Sequence, residues 1–363
     1  VAELRDLIQS GIRWVVRTRD STRTSTRLTD KNPVWDAAVE MTLTERNAQT
    51  ERDLVHSALF YRSEDQYLEA LVPTVDEWLS ASRPVLVSLP ADKLAALRRA
   101  LGITAEDVDG DAMPDLSMTD ITEVGRNPGR ILGLAGCFVR QHRNRQVLLI
   151  GEPVWPGRTA AEYPACVQHE ALVNVALEGH AVTGLCLYDA VRLSDMALTD
   201  ARLTHPLFWQ AGTQHHNPEY AVDVALDRSN EPLATSPAAV NFTVHELTDL
   251  SGARRCADRY ARLLGMSPER IDDLQLIATE LATNSLRHTG ESCRLAFWPH
   301  NGYLICEASD VGPLEDPLAG RRSTQSGLFM VNAVADLVRT HISPLGTKIH
   351  AYVRLDRLVD EAC

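Results

Sequence analysis

From Asp53 onward, short apolar runs alternate with stretches whose apolar residues recur at helical spacing. Val55–Tyr61 is one such run. In Gln66–Ala81 the apolar side chains fall at 68, 71, 72, 75, 78 and 79, which predicts a helix with one buried face. Arg83–Pro90 reads as a strand bounded by prolines, Asp92–Leu101 as a second helix and Ile131–Arg140 as a third. Gln146–Gly151 and His180–Tyr188 are continuous apolar strands of the kind covered on both faces, with a helix over Tyr163–Glu178 between them. Strands alternating with helices predict an α/β domain around a parallel sheet over 53–228.

Asp227–Pro237, rich in Pro, Ser and Asn, is the linker candidate, so 229–238 joins the first domain to a second over 239–356. In the second, Val240, Phe242 and Val244 alternate with polar residues, as in a half-exposed strand. A helix follows with apolar positions at 253, 256, 257, 260, 263 and 264, ending at Gly265. Ser267 and Pro268 open the next helix and Thr289-Gly290 closes it. Strands at Cys293–Trp298 and Tyr303–Ala308, a helix at Gly327–Val338 and a strand at Lys348–Leu355 complete the order βααββαβ. That order predicts an α/β sandwich with helices on one face of a mixed sheet.

Composition narrows the function classes. A net charge of -13 argues against a general nucleic-acid binder, which needs a basic surface to neutralise phosphates. No eighteen-residue apolar run predicts a membrane span. Seven cysteines without a CxxC pair, most of them in apolar runs, read as small buried residues of a cytoplasmic protein and not as a disulfide framework or a zinc site. Residues 1–28, arginine- and Ser/Thr-rich, have the composition of an organellar transit peptide, which an over-long bacterial start with Met41 as initiator would share, and 1–52 read as a poorly packed extension.

The chemistry concentrates near the C-terminus. Glu280, Asn284 and His288 are four apart on one helix and so share a face. A carboxylate and an amide oxygen aligned in that way suit a magnesium ion with a water between them. Asp310, followed by Gly312 at a strand end, suits a purine amino group beside a turn that needs no side chain. These residues resemble the N box and first glycine box of the GHKL ATPase superfamily, and the short remainder is most similar to the anti-sigma-factor serine kinases.

The resemblance implies a fold of the Bergerat type that binds ATP and Mg2+. Carried over, Asn284 ligates the magnesium, Glu280 is the general base and Asp310 accepts from the adenine amino group, while Gly312 lets the backbone approach the base. Gly327 opens a helix toward the phosphates, with Leu328 and His288 in the same site. Thr347, within Gly346-Thr347-Lys348, bonds near the adenine. Leu314 and Gln325 stand where the family has glycines, which favours the alternative of a catalytically degenerate scaffold acting by protein binding. A histidine kinase with His245 as phosphoacceptor is a further alternative, but it needs a helix where the pattern predicts a strand.

The segments His56–Tyr61, Arg83–Pro90, His169–Asn174, Leu185–Asp189 and His205-Pro206 together resemble the MEDS sensory domain, named from a dichloromethane-responsive regulator and from methanogen and methylotroph proteins. The resemblance implies a RecA-like α/β fold that senses a small molecule. No P-loop is present, so this domain should not be a second ATPase. His56, Tyr61, Glu170, Tyr188, Asp189 and His205 are its candidate residues, either as ligand contacts or as polar groups satisfied within a core. His142, His169 and His180 show no metal spacing, and His215-His216 is placed in a loop. The whole reads as a bacterial regulator whose sensory domain governs a kinase for Ser/Thr of a STAS-type anti-sigma-factor antagonist, or one that sequesters a sigma factor. Relatives often form a homodimer through the kinase-domain sheet.

Overall fold

The computed structural model describes residues 54–104, 113–312, 316, 318–321 and 327–356. The N-terminal extension, Met41, Leu314 and Gln325 lie outside the described residues. No described helix is long and apolar enough to cross a membrane, and the six described cysteines are free.

The first domain is built on strands β1 (Val55–Tyr61), β2 (Val85–Leu89), β3 (Leu116–Asp120), β4 (Val147–Gly151), β5 (Val182–Asp189), β6 (Leu207–Gln210) and β7 (Thr213–His216). They form one sheet in the order β3-β2-β4-β5-β1-β6-β7, parallel throughout except for the β6–β7 hairpin. Side-chain alternation sends Leu59, Val87, Ile150, Leu185 and Leu187 against helices α1 (Glu64–Ser80) and α2 (Ala91–Leu101). The opposite face takes a short α3 (Ile121–Val124), α4 (Gly129–Gln141), α5 (Tyr163–Ala176) and α6 (Asp195–Thr204); α7 (Val222–Ser229) packs outside α5 and α6. His215 and His216 stand exposed on β7, not in a loop, because Thr213–His216 pairs back on β6.

The second domain is wholly antiparallel, not mixed. Its sheet runs β11-β12-β10-β9-β8, from β8 (Val240–Val244), β9 (Cys293–His300), β10 (Tyr303–Asp310), β11 (Leu337–Ser343) and β12 (Gly346–Arg354). The expected helix over Gly327–Val338 is α10 (Gly327–Val334), and β11 follows after two residues. A largely apolar stretch with neither Gly nor Pro at the join, and only Asp336 there as a turn residue, concealed that boundary. Helices α8 (Leu250–Leu263), α9 (Pro268–Thr289) and α10 cover one face. There Ile271, Leu274, Ile277 and Leu281 meet Leu295, Phe297, Cys306 and Val353. Ile277→Val should cost about 0.5–1.5 kcal/mol, read as a lowered urea midpoint, since Ile277 is fully enclosed.

The linker candidate is less a tether than a strap. Asp227–Ser229 are the last turn of α7, and the chain beyond them is pinned along the second sheet. Asn230 exchanges two hydrogen bonds with the backbone of Ile342 (2.7 and 2.9 Å), Glu231 pairs with Arg339 at 2.8 Å, and Lys348 Nζ donates to Leu233 O at 2.9 Å. Edge strand β11 is thereby covered, as sheet edges need to be. On the outer face Trp298, Ile305, Leu337 and Tyr352 pack against Ala165 of α5, so this face is covered by the chain's own first domain.

Glu307, buried on that face, accepts from Thr235 at 2.6 Å and contacts Arg294 and His350 at 2.5 and 2.8 Å. Burial alone would raise its carboxyl, but the bonds from His350 and Thr235 and the charge of Lys348 hold it below the usual value of 4.5. A carboxylate depressed in this way stabilises the fold above its unfolded pKa and loses that contribution as pH falls through the folded one. Thermal melts should therefore drop on acidification below the ordinary carboxylate range. Glu307→Gln should flatten that step and leave the profile above pH 5 unchanged in shape.

Candidate functional site

Helix α9 owes its form to Pro268 at its first turn and to Gly290, which ends it in the left-handed region at φ 68°. Its buried stripe fixes the rotation that leaves Glu280 and Asn284 half-buried and His288 exposed, one above another along the helix. Among the described residues neither the Glu280 nor the Asn284 side chain has a hydrogen-bond partner. The start of α10 closes over Glu280: a Cβ added at Gly327 would lie 2.4 Å from Glu280 Oε2. A side chain at 327 would force the Glu280 carboxylate to move.

The other end is formed by β10 and β12, whose register sets Asp310 opposite Thr347. Thr347 Oγ1 donates to Gly312 O at 2.7 Å, and Gly312 N donates to Asp310 Oδ1 at 3.3 Å. A Cβ at Gly312 would strike Thr289, the last residue of α9, at 2.5 Å. Asp310, Gly312 and Thr347 are thus one cluster at the foot of α9, with Asn284 and then Glu280 above it. Leu328 is the exception: its side chain is buried in the domain core and supports the site from behind. His245 is exposed just beyond β8 and not on a helix; its backbone N–H donates to Asp249.

The described residues between the two ends meet the first domain. Leu318 is buried in the first domain's core with Leu132, Phe138 and Leu172. Arg321 NH1 is enclosed with no hydrogen-bond partner among the described residues, and burial pushes the guanidinium down to about 10. The C-terminus of α10 is capped from outside as well. Arg130 donates to Asn332 O at 3.0 Å and to Ala335 O at 2.6 Å, and Asn127 Nδ2 donates to Asn332 O at 2.9 Å. Gly129 lies so close that a Cβ there would meet Asn332 Oδ1 at 2.0 Å. A cavity of about 200 Å³ opens between the domains, lined by Gln168, Leu172, Asn230, Arg321, Leu328 and Ile349 among others.

In the first domain the sequence candidates separate into two centres. Tyr61 ends β1 and donates to Glu152 Oε1 at 2.9 Å; Lys93 Nζ, in the first turn of α2, donates to both Glu152 oxygens (2.6 and 2.5 Å) and to Tyr61. The one lysine near the strand–helix turn is thereby neutralised inside the protein. Asp189 accepts from the N–H groups of Val191 and Arg192 at 3.0 Å, a turn at the end of β5. The other centre joins His56, Glu170, Tyr188 and His205, all buried, and adds Cys186 and Asn174. Cys186 was legible only as an apolar-run residue, although it lies two positions from Tyr188 on the same strand face. Lys93, in the first turn of α2, and Glu152, just past the end of β4, carry no further local signal.

Two families match this chain. Residues 55–206 match MEDS, the MEthanogen/methylotroph, DcmR Sensory domain, and residues 243–353 match the Histidine kinase-like ATPase domain. No curated protein matches the chain.

Proposed function

We propose that this chain, a MEDS sensory domain followed by a histidine kinase-like ATPase domain, is a regulatory protein kinase of the anti-sigma type. The first domain is read as RecA-like and the second as a Bergerat sandwich. One observation carries the proposal: α9 aligns Glu280 and Asn284, uncommitted among the described residues, between the Asp310–Thr347 cluster and the glycine-led start of α10. At Gly312 and Gly327 the backbone lies directly against Thr289 and Glu280, which brings the strand end and the start of α10 up to the two ends of that helix face.

In this reading Asp310 and Thr347 would hold the adenine, Asn284 Oδ1 would hold Mg2+, and the α10 N-terminus would take the phosphates. The metal, when bound with ATP, neutralises charge on the phosphates during in-line transfer. Glu280 accepts the proton of a Ser or Thr hydroxyl of a STAS-type antagonist as that oxygen attacks. Sequestration of a sigma factor by the same domain is the companion activity. The first domain biases both, because it grips Leu318, Arg321 and α10 on either side of Gly327.

The second reading is a scaffold without catalysis, favoured by how tightly Gly312 and Gly327 already close on Thr289 and Glu280. Incubating the full chain and Asn284→Ala with labelled ATP and a STAS-domain protein separates the two. Label on a Ser or Thr of the acceptor, lost in Asn284→Ala, supports the kinase. Binding of the acceptor by both forms without label supports the scaffold.

A further inference from the structure

Behind the sheet of the first domain, four side chains from four separate elements converge with no exposed surface to explain them. His56 comes from β1, Cys186 from the adjacent β5, Glu170 from α5, and His205 from the residue that ends α6. Their ligand atoms lie within 4.8 Å of one another. Cys186 Sγ is 3.4 Å from both His56 Nε2 and Glu170 Oε2, and the two imidazole Nε2 atoms are 3.6 and 3.5 Å from Glu170 Oε2.

The surrounding bonds decide what these atoms present. His205 Nδ1 lies 2.8 Å from the carbonyl of Ala201, which only accepts, so Nδ1 carries the hydrogen and Nε2 a bare lone pair. Asn174 spends its amide N–H groups on the carbonyls of Glu170, Ala171 and Thr204, which turns its oxygen to His56 Nδ1 at 3.0 Å and fixes the same tautomer there. Tyr188 OH donates to Glu170 Oε1 at 2.9 Å and leaves Oε2 facing inward. Three acceptors therefore meet one thiol, and His205 Nε2, fully buried, has no hydrogen-bond partner. A buried acceptor left in that state is costly unless something electropositive completes it.

We propose that His56 Nε2, His205 Nε2, Glu170 Oε2 and Cys186 Sγ form a closed, four-ligand site for a zinc ion. Bonds of about 2.0–2.3 Å in a tetrahedron place donor atoms about 3.3–3.8 Å apart. Four of the six separations between these atoms, 3.4, 3.4, 3.5 and 3.6 Å, fall in that range, and the two that join His205 Nε2 to His56 and Cys186 are within 4.8 Å. On binding, the thiol proton leaves to solvent and a Zn–S bond forms. The carboxylate and thiolate then balance the two charges of the metal, leaving a neutral centre suited to a dry interior. Ala201, Asn174 and Tyr188 orient the ligands, as outer partners of metal-bound histidine and carboxylate commonly do. A mixed N, S and O set closed by four protein groups fits zinc better than Mg2+ or Ca2+, which take oxygen ligands. The site pins β1, β5 and α6 to α5, the helix that also contacts the second domain through Ala165 and Leu172.

The test uses the full chain, stripped with a chelator and titrated with Co2+ and then Zn2+. The proposal expects saturation at one ion per chain, visible absorption of tetrahedral cobalt, a thiolate-to-cobalt charge-transfer band, and displacement of cobalt by zinc. Cys186→Ser should remove the charge-transfer band, and His205→Ala should weaken binding by at least tenfold, with Cys306→Ser as the unaffected control. Zinc-edge X-ray absorption on the unmutated protein keeps the test decisive if those variants do not fold; one sulfur among nitrogen and oxygen ligands is expected. The proposal is overturned by no saturable binding in a folded chain, by a thiolate band that survives Cys186→Ser, by an all-oxygen or all-sulfur shell, or by retention of iron or copper against excess zinc.

Discussion

Glu280→Gln should lower phosphoryl transfer to the protein acceptor by about 10²- to 10⁴-fold, the usual contribution of a positioned general base. MgATP affinity should stay within about threefold, because the amide keeps the shape of the carboxylate and the metal contact is assigned to Asn284. Single-turnover transfer at saturating ATP separates the two quantities. The change should also spare the fold: among the described residues Glu280 has no hydrogen-bond partner to lose, and its neighbour in space is the backbone of Gly327. An equal loss of rate and affinity would move Glu280 from proton transfer to nucleotide binding.

Arg130→Ala should loosen the grip of the first domain on the second. Its guanidinium donates to Asn332 O and Ala335 O at the C-terminal end of α10, where the helix dipole strengthens both bonds. Loss of charge-assisted hydrogen bonds of this kind costs about 1.5–3 kcal/mol, equivalent to about 10- to 150-fold in the docked-to-undocked ratio. Undocking frees α10 and Leu318, so MgATP binding and turnover should rise while limited proteolysis between the domains accelerates. Gly129→Ala should act in the same direction, since its Cβ cannot coexist with Asn332 Oδ1 in the present position. A fall in nucleotide affinity in both variants would instead make the contact a support for the site.

The site in the second domain was legible because its signals are local. Pro268 and Gly290 bound α9, the four-residue spacing sets Asn284 under Glu280, and the apolar runs of β9 and β10 deliver Asp310 to a strand end. Helix α10 and strand β11 could not be separated, because Gly327–Val338 is largely apolar and the single Asp336 at the break, with no Gly or Pro beside it, is a weak turn signal. The strap at 230–239 looked like a tether since its polar residues find partners only across the fold, as Asn230 does at Ile342. Asn127-Pro-Gly-Arg130 reads as an ordinary turn; that it caps a helix 205 positions away is a tertiary fact. The centre around Glu170 depends on β1 pairing with β5, which sets Cys186 beside His56 across 130 positions. Periodicity along the chain carries no trace of that pairing.

Calorimetric titration of MgATP into the full chain, beside Asn284→Ala, tests the account most directly. It predicts saturable, magnesium-dependent heat in the unmodified protein that Asn284→Ala abolishes without changing the thermal melt. No heat from a folded chain, even with Arg130→Ala added to release α10, would contradict it.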